Sequence, residues 1–354
     1  MFSIRFFRIY DIGDEVDLRC LERELAASTP TSRSRFNRVR PASITIAEPP
    51  LLVRLQGSTI STPRGTRTLS AMAKVFDFGA ISICLCLVDQ EAPSTALEEA
   101  ALHFAAHEGL SPHFERALSE LREVLRPVLG ERPIDAEFYE EYTIYQADRE
   151  DPGIDQVAIL LGEKGGFSQG VREDTLRHTF SYYPDEKAVL SWNGTILFSP
   201  DPLLDLIELI EYAAVQVLEL RFYERELSRQ MERMYDDIEN ADRQWWISRS
   251  FKYRALMKAL MSEQAEVSEV IEDVNNLIKV TEDVYYARVY AAALQVLRSG
   301  QWTDSVNRKL ATIRETYRML SDEVNIQHAH FLEWIIILLI AFEIVIFLLP
   351  VAGH

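Results

Sequence analysis

Over residues 1–200 short apolar runs rich in Ile, Val and Phe alternate with polar positions; afterwards the apolar positions recur with a helical period. FSIRFFRIY (2–10), SITIAEPPLLVRL (43–55) and AKVFDFGAISICLCLV (73–88) read as strands, as does AEFYEEYTIYQA (136–147). Pro93, Ser94 and Thr95 open one helical segment, and Ser111-Pro112 opens a second that closes at Gly130. KAVLSW and TILFSP, joined at Asn193-Gly194, predict a hairpin with a two-residue turn.

Past Pro200-Asp201-Pro202 glycine nearly vanishes and Leu, Glu, Arg, Met and Ala dominate. Leu203, Leu206, Ile207, Ile210, Ala213, Ala214, Val217 and Leu218 follow helical spacing, as do Val267, Val270, Ile271, Val274, Leu277 and Ile278. Ser299-Gly300 marks a break. From Asp304 the positions Val306, Leu310, Ile313, Tyr317, Leu320 and Val324 then lead into the final apolar run without proline or glycine. The expected fold class is α+β. A cytosolic mixed α/β domain spans 1–200, with 28–70 partly loop and locally basic; a helical hairpin of long antiparallel helices follows over 201–300, then a stalk helix over 301–330 and a transmembrane helix over 331–352.

The last element rests on FLEWIIILLIAFEIVIFLLPVAGH, roughly 20 largely apolar residues that at about 1.5 Å each match a hydrocarbon core of roughly 30 Å. Arg308, Lys309, Arg314 and Arg318 precede it and no Lys or Arg follows. The expected location is therefore the inner (cytoplasmic) membrane, single-pass, with the bulk of the chain facing the cytoplasm. Trp334 falls at the headgroup level and Glu333 beside it stays wet. Glu343 falls near mid-span, where an ionised side chain costs about 2.5–3.5 kcal/mol, so it needs a proton or a partner. With one span per chain that partner comes from another copy. Glu343, Glu333 and Trp334 are thus the expected contacts of a homo-oligomer in the lipid bilayer.

Charge narrows the partners. Against 55 acidic residues stand 37 basic ones, a formal charge of −18, so the surface as a whole repels nucleic acid. Arg33, Arg35, Arg38 and Arg40 form the basic patch able to meet RNA or the ribosome. Three cysteines, Cys20, Cys84 and Cys86, do not make a disulfide framework and fit a reducing compartment; Cys84 and Cys86 share one strand face as small buried thiols.

Catalytic chemistry is not nominated. His103 and His107 share a helix face near Glu108 and His113, but they lack the zincin glutamate, and partly exposed helix histidines are the expectation. The glycine-rich stretch from Gly162 to Gly170 lacks the Lys-Ser/Thr ending of a phosphate loop and reads as a surface loop. Clusters such as Asp236, Asp237 and Glu239 read as solvated helix faces. No metal, cofactor or small-molecule substrate is expected.

His330-Phe-Leu-Glu333-Trp334-Ile-Ile-Ile-Leu-Leu-Ile-Ala-Phe-Glu343 resembles the C-terminal end of the YagE-like, Required-for-Meiotic-nuclear-Division family, a group of unknown function. Ser305 to Leu310 and Val75 to Ala80 are similar to that family's Leu-Asn-containing helix and glycine-bearing strand. The resemblance implies an oligomeric membrane-anchored protein without an established reaction, and a translation-related role by analogy. A looser architectural likeness joins the chain to CorA-type magnesium channels. The function expected from residues and resemblance together is a non-enzymatic, homo-oligomeric, membrane-anchored scaffold or adaptor. The alternative is a CorA-like assembly that conducts or senses cations.

Overall fold

A computed structural model describes residues 1–13, 16–25, 31–33, 44–46, 48–130, 134–242, 258, 278–280 and 283–348. It divides into two units, Met1–Phe222 with Asp273–Trp302, and Tyr223–Glu272 with Thr303–His354. The described residues confirm an α+β protein with an N-terminal sheet and long helices after it.

In the first unit nine strands form one sheet. Their chain order is β1 (Phe2–Asp11), β2 (Thr31–Arg33), β4 (Leu51–Thr62), β5 (Gly65–Val75), β6 (Ala80–Asp89), β7 (Tyr139–Ala147), β8 (His178–Phe180), β9 (Lys187–Leu190) and β10 (Gly194–Phe198). The order across the sheet is β2-β4-β5-β6-β1-β7-β10-β9-β8, and only β10 and β7 pair in parallel. A separate two-stranded pair joins β3 (Ile44–Ile46) to β11 (Ile278–Val280). The helical pattern read over 267–278 falls outside the described residues except for Ile278.

Strand β1 is apolar on both faces because both are covered. Phe2, Ile4, Phe6 and Tyr10 enter one core, together with Ile81, Ile83, Leu85 and Leu87 of β6. Helices α1 (Leu18–Leu25), α2 (Ala96–His103), α3 (Ser111–Leu129) and α4 (Gln156–Leu161) cover that side, through residues such as Leu21, Leu97, Phe114 and Leu160. Helix α5 (Gln169–Thr175) follows α4, capped by Ser168. Phe7 and Ile9 enter the opposite core with Tyr142, Ile144 and Leu197. There the sheet packs on the first half of α6 (Leu204–Asp242), through Leu206, Ile210, Ala213, Val217 and Leu218, and on α7 (Val284–Val296). The helical spacing read after Pro202 is this packed face. Truncating a buried side chain such as Phe6 or Phe7 costs about 3–5 kcal/mol.

The β4–β5 hairpin is longer than the sequence pattern suggested, since residues 56–72 lie within strands. Its register shifts between Leu55, opposite Ala71, and Ser58, opposite Leu69, so Gln56 and Gly57 form a β-bulge. The Gln56 N–H freed by the bulge donates to Glu120 Oε1 of α3 at 3.0 Å. The β9–β10 turn is shifted by one residue: Leu190 pairs with Thr195 and the Ser191 N–H donates to the Gly194 carbonyl at 2.9 Å, so Trp192 and Asn193 rather than Asn193 and Gly194 close it.

Helix α8 (Ser299–Leu348) follows α7 through Arg298, whose φ of 58° stops one helix before the next begins. In the second unit the later half of α6 presents Leu227, Met231, Met234 and Ile238, and α8 presents Val306, Leu310 and Ile313 to one core. Spacings of four and three are the seam that paired helices need. Lys309 Nζ reaches Glu224 Oε1 at 2.6 Å and also bonds Ser228 Oγ.

Among the described residues no helix is long and apolar enough to cross a membrane. This corrects the expected transmembrane helix over 331–352, and with it the single-pass inner-membrane location. The described apolar side chains of α8 run from Leu332 to Ile346, about 15 residues or roughly 22 Å of helix, against a hydrocarbon core of about 30 Å. Glu333 and Glu343 interrupt even that stretch, and residues 349–352 lie outside the description.

Candidate functional site

Five strands and one helix of the first unit line a cavity of about 330 Å³. Pairing register builds its floor. Lys74 of β5 stands opposite Ser82 of β6 and Leu52 of β4, and one step along, Met72 and Phe7 flank Cys84. Arg5 comes a further step along β1, opposite Cys86. Arg33 lines the cavity from edge strand β2. Helix α6 supplies the roof with Leu204, Ile207, Glu208 and Glu211, positions that share one helical face.

The charges at one end are fixed. Lys74 Nζ donates to Glu211 Oε2 at 2.8 Å and to Glu208 Oε1 at 3.3 Å. Burial pushes the Lys74 ammonium down, but the charges and hydrogen bonds of Glu211 and Glu208 outweigh it and hold its pKa above the ordinary value. Burial drives the Cys84 thiol well up, with Cys86 and Glu211 adding to the effect, so it stays protonated and acts as an apolar wall. Ser82 Oγ is buried without a hydrogen-bond partner.

At the other end Arg5 meets only neutral acceptors, Ser3 Oγ at 3.1 Å and Gln146 Oε1 at 3.2 Å, and among the described residues no carboxylate pairs with it. Arg33 is engaged: its Nε lies 3.0 Å from Glu22 Oε2 and its guanidinium donates to the Pro49 carbonyl at 2.8 Å. A locked ammonium and a protonated thiol are poor nucleophiles.

A second polar group sits under α3 on the other side of the sheet. Arg8 donates to Glu141 Oε1 at 2.7 Å and to Ser111 Oγ at 3.0 Å, with its guanidinium 4.5 Å from the Phe114 ring centroid. His107 Nε2 is 2.8 Å from Thr143 Oγ1, and its Nδ1 is 3.3 Å from Glu141 Oε1. Burial raises the Glu141 carboxyl, but His107 and then Arg8 outweigh it and hold the pKa below the usual range. His107 is buried because α2 ends at His103, and Ala106 (φ 51°) and His107 (φ 54°) turn the chain inward. His103 stays exposed, so the two do not share the helix face read from their spacing. Among the described residues no group of three or more His, Cys, Asp or Glu could hold a metal ion.

Of the residues singled out from sequence, Glu333, Trp334 and Glu343 are exposed on α8, and Arg33 lies at the cavity. Arg35, Arg38 and Arg40 lie outside the described residues. Sequence reasoning missed Lys74, Ser82, Glu208 and Glu211 altogether. The one signal was a lysine within an otherwise apolar strand.

The model of the family described as the N-terminal domain of the uncharacterized protein MJ0711 matches residues 1–203, a stretch that holds all nine strands of the sheet and the floor of the cavity. The uncharacterized protein MJ0711 of Methanocaldococcus jannaschii is 26% identical over 175 residues, 49% of this chain and 52% of that protein. The chain thus spans about half the length of the curated relative it matches. No solved structure matches it. These findings overturn the likeness to the YagE-like, Required-for-Meiotic-nuclear-Division family. The motif that carried it, His330 to Glu343, lies beyond the matched residues, in a Leu- and Ile-rich run of low specificity that unrelated apolar helices share. Over residues 1–203 this chain belongs to the MJ0711 N-terminal domain family.

Proposed function

We propose that this chain is a non-enzymatic, self-associating scaffold, assembled through the apolar end of α8 and presenting its sheet-bearing unit to a partner. One observation carries the reading. From Trp334 to Ile340 seven consecutive residues, all apolar in character, are exposed, and Phe342 and Ile344–Ile346 continue the surface. Leu338 is 63% and Phe342 64% exposed. A helix apolar on every side needs cover on every side, and patches this large mark association surfaces. Copies of the same helix supply that cover in a bundle. Glu343, one turn from Leu339, then faces its counterparts in the other copies.

Sedimentation equilibrium of the full chain tests this, with wild type beside Leu338→Glu and Glu343→Leu. A defined oligomer that Leu338→Glu converts to monomer, and whose stability Glu343→Leu changes, supports the reading. A monomeric wild type across the concentration range overturns it.

A further inference from the structure

The cavity between the sheet and α6 has its two ends built differently, and that difference selects a ligand. Same-face residues of a strand are two positions apart, so Arg5 and the Ser82–Lys74 pair are separated by two such steps, about 13 Å along the strands. Between them Phe7, Cys84 and Met72 make an apolar floor, under Leu204 and Ile207. Among the described residues Arg5 is a guanidinium bonded only to neutral acceptors. At the far end the Lys74 ammonium is already held by Glu208 and Glu211, while the buried Ser82 hydroxyl has no partner.

We propose that this cavity binds an elongated organic monoanion with a single charged head. Its carboxylate pairs with Arg5, its hydrocarbon body lies across Phe7, Met72 and Cys84, and a hydroxyl at its far end meets Ser82. At about 30 Å³ per non-hydrogen atom, as in water, 330 Å³ holds on the order of ten such atoms, the size of an eight-carbon acid. A second carboxylate is disfavoured because the cations of the far end are already engaged, Lys74 by Glu208 and Glu211 and Arg33 by Glu22 and the Pro49 carbonyl. A cationic head is rejected at Arg5.

The test is isothermal titration calorimetry on the full chain with four probes: octanoate, 8-hydroxyoctanoate, octanedioate and octylammonium. Octanoate is expected to bind, 8-hydroxyoctanoate several-fold tighter, and the dianion and the cation at least tenfold weaker. Arg5→Gln is expected to weaken octanoate at least tenfold, and Ser82→Ala to remove only the advantage of the hydroxyl. NMR of methyl-labelled methionine, with Met72 assigned through Met72→Leu, locates the ligand without perturbing the charges, and a Met72 shift on adding octanoate is expected. Absence of octanoate binding to wild type, equal binding of octylammonium, or an unmoved Met72 signal each overturns the proposal.

Discussion

Lys74 of β5 and Glu211 of α6 meet at 2.8 Å, although 137 residues separate them in the chain. The contact joins the sheet to the helix layer, and Glu208 reaches the same ammonium from one turn earlier.

Lys74→Met is therefore expected to destabilise the protein by about 3–5 kcal/mol, because it removes the buried cation that the Glu211 carboxylate is bonded to. The pKa of Lys74 is raised in the folded state. Its contribution is thus fully present below the unfolded value of 10.5 and is lost as pH rises through the folded one. Urea unfolding should show wild-type stability falling in that alkaline window and the variant changing less there. Equal alkaline slopes would mean the pair adds nothing.

Glu219 of α6 is 1% exposed, and one of its carboxyl oxygens has no hydrogen-bond partner. Burial first, and then the charge of Asp11, drive its pKa well above the ordinary value of 4.5. The folded state thus holds this proton more tightly than the unfolded chain. Stability from this group is greatest below the unfolded pKa and declines as pH rises through the folded value. Glu219→Gln cannot ionise, so its unfolding free energy should exceed that of wild type at neutral pH and converge with it near pH 4. Stability measured in urea across that range checks both statements, and a variant that tracks wild type at every pH refutes them.

Ala106 takes a left-handed conformation that L residues avoid at a cost of about 1–2 kcal/mol. Ala106→Gly is expected to stabilise the fold by roughly 0.5–1 kcal/mol, after the greater freedom of glycine in the unfolded chain is counted. Gly109, at φ 73°, is the matching control. A Cβ there meets no atom within 4 Å, so the loss on Gly109→Ala reads backbone strain alone. Thermal unfolding of the two single variants should move the melting temperature in opposite directions.

Legibility varied with how local the cause was. The α6 face from Leu203 to Leu218 was readable because it repeats the helical period against one packed layer, and the strand at 2–10 because it is a short apolar run covered on both faces. The distal part of the β4–β5 hairpin was not, since most of its side chains are solvated and Ile60 stands almost alone as a buried apolar residue there. Glu211 and Glu219 are charged positions within the apolar pattern of α6, yet both are buried. A period in one segment carries no information about what another segment brings to it. For the same reason the cavity was invisible: Lys74 and Ser82 meet through strand pairing, and Glu208 and Glu211 arrive from a helix far along the chain. His107 was misplaced by two residues of unusual backbone that no side-chain pattern announces.

The bulge at Gln56 and Gly57 reverses the phase of β4. Before it Leu51, Val53 and Leu55, all odd-numbered, point into the core; after it the even-numbered Ile60 does. Pairing the strand straight through with both residues kept would present Thr59 and Ser61 to the core in place of Ile60. The bulge thus acts as a key that absorbs one extra residue and fits the outer half of the hairpin to the same core as the inner half, so deleting Gln56 or Gly57 would leave Ile60 facing the core and give up the amide handed to Glu120.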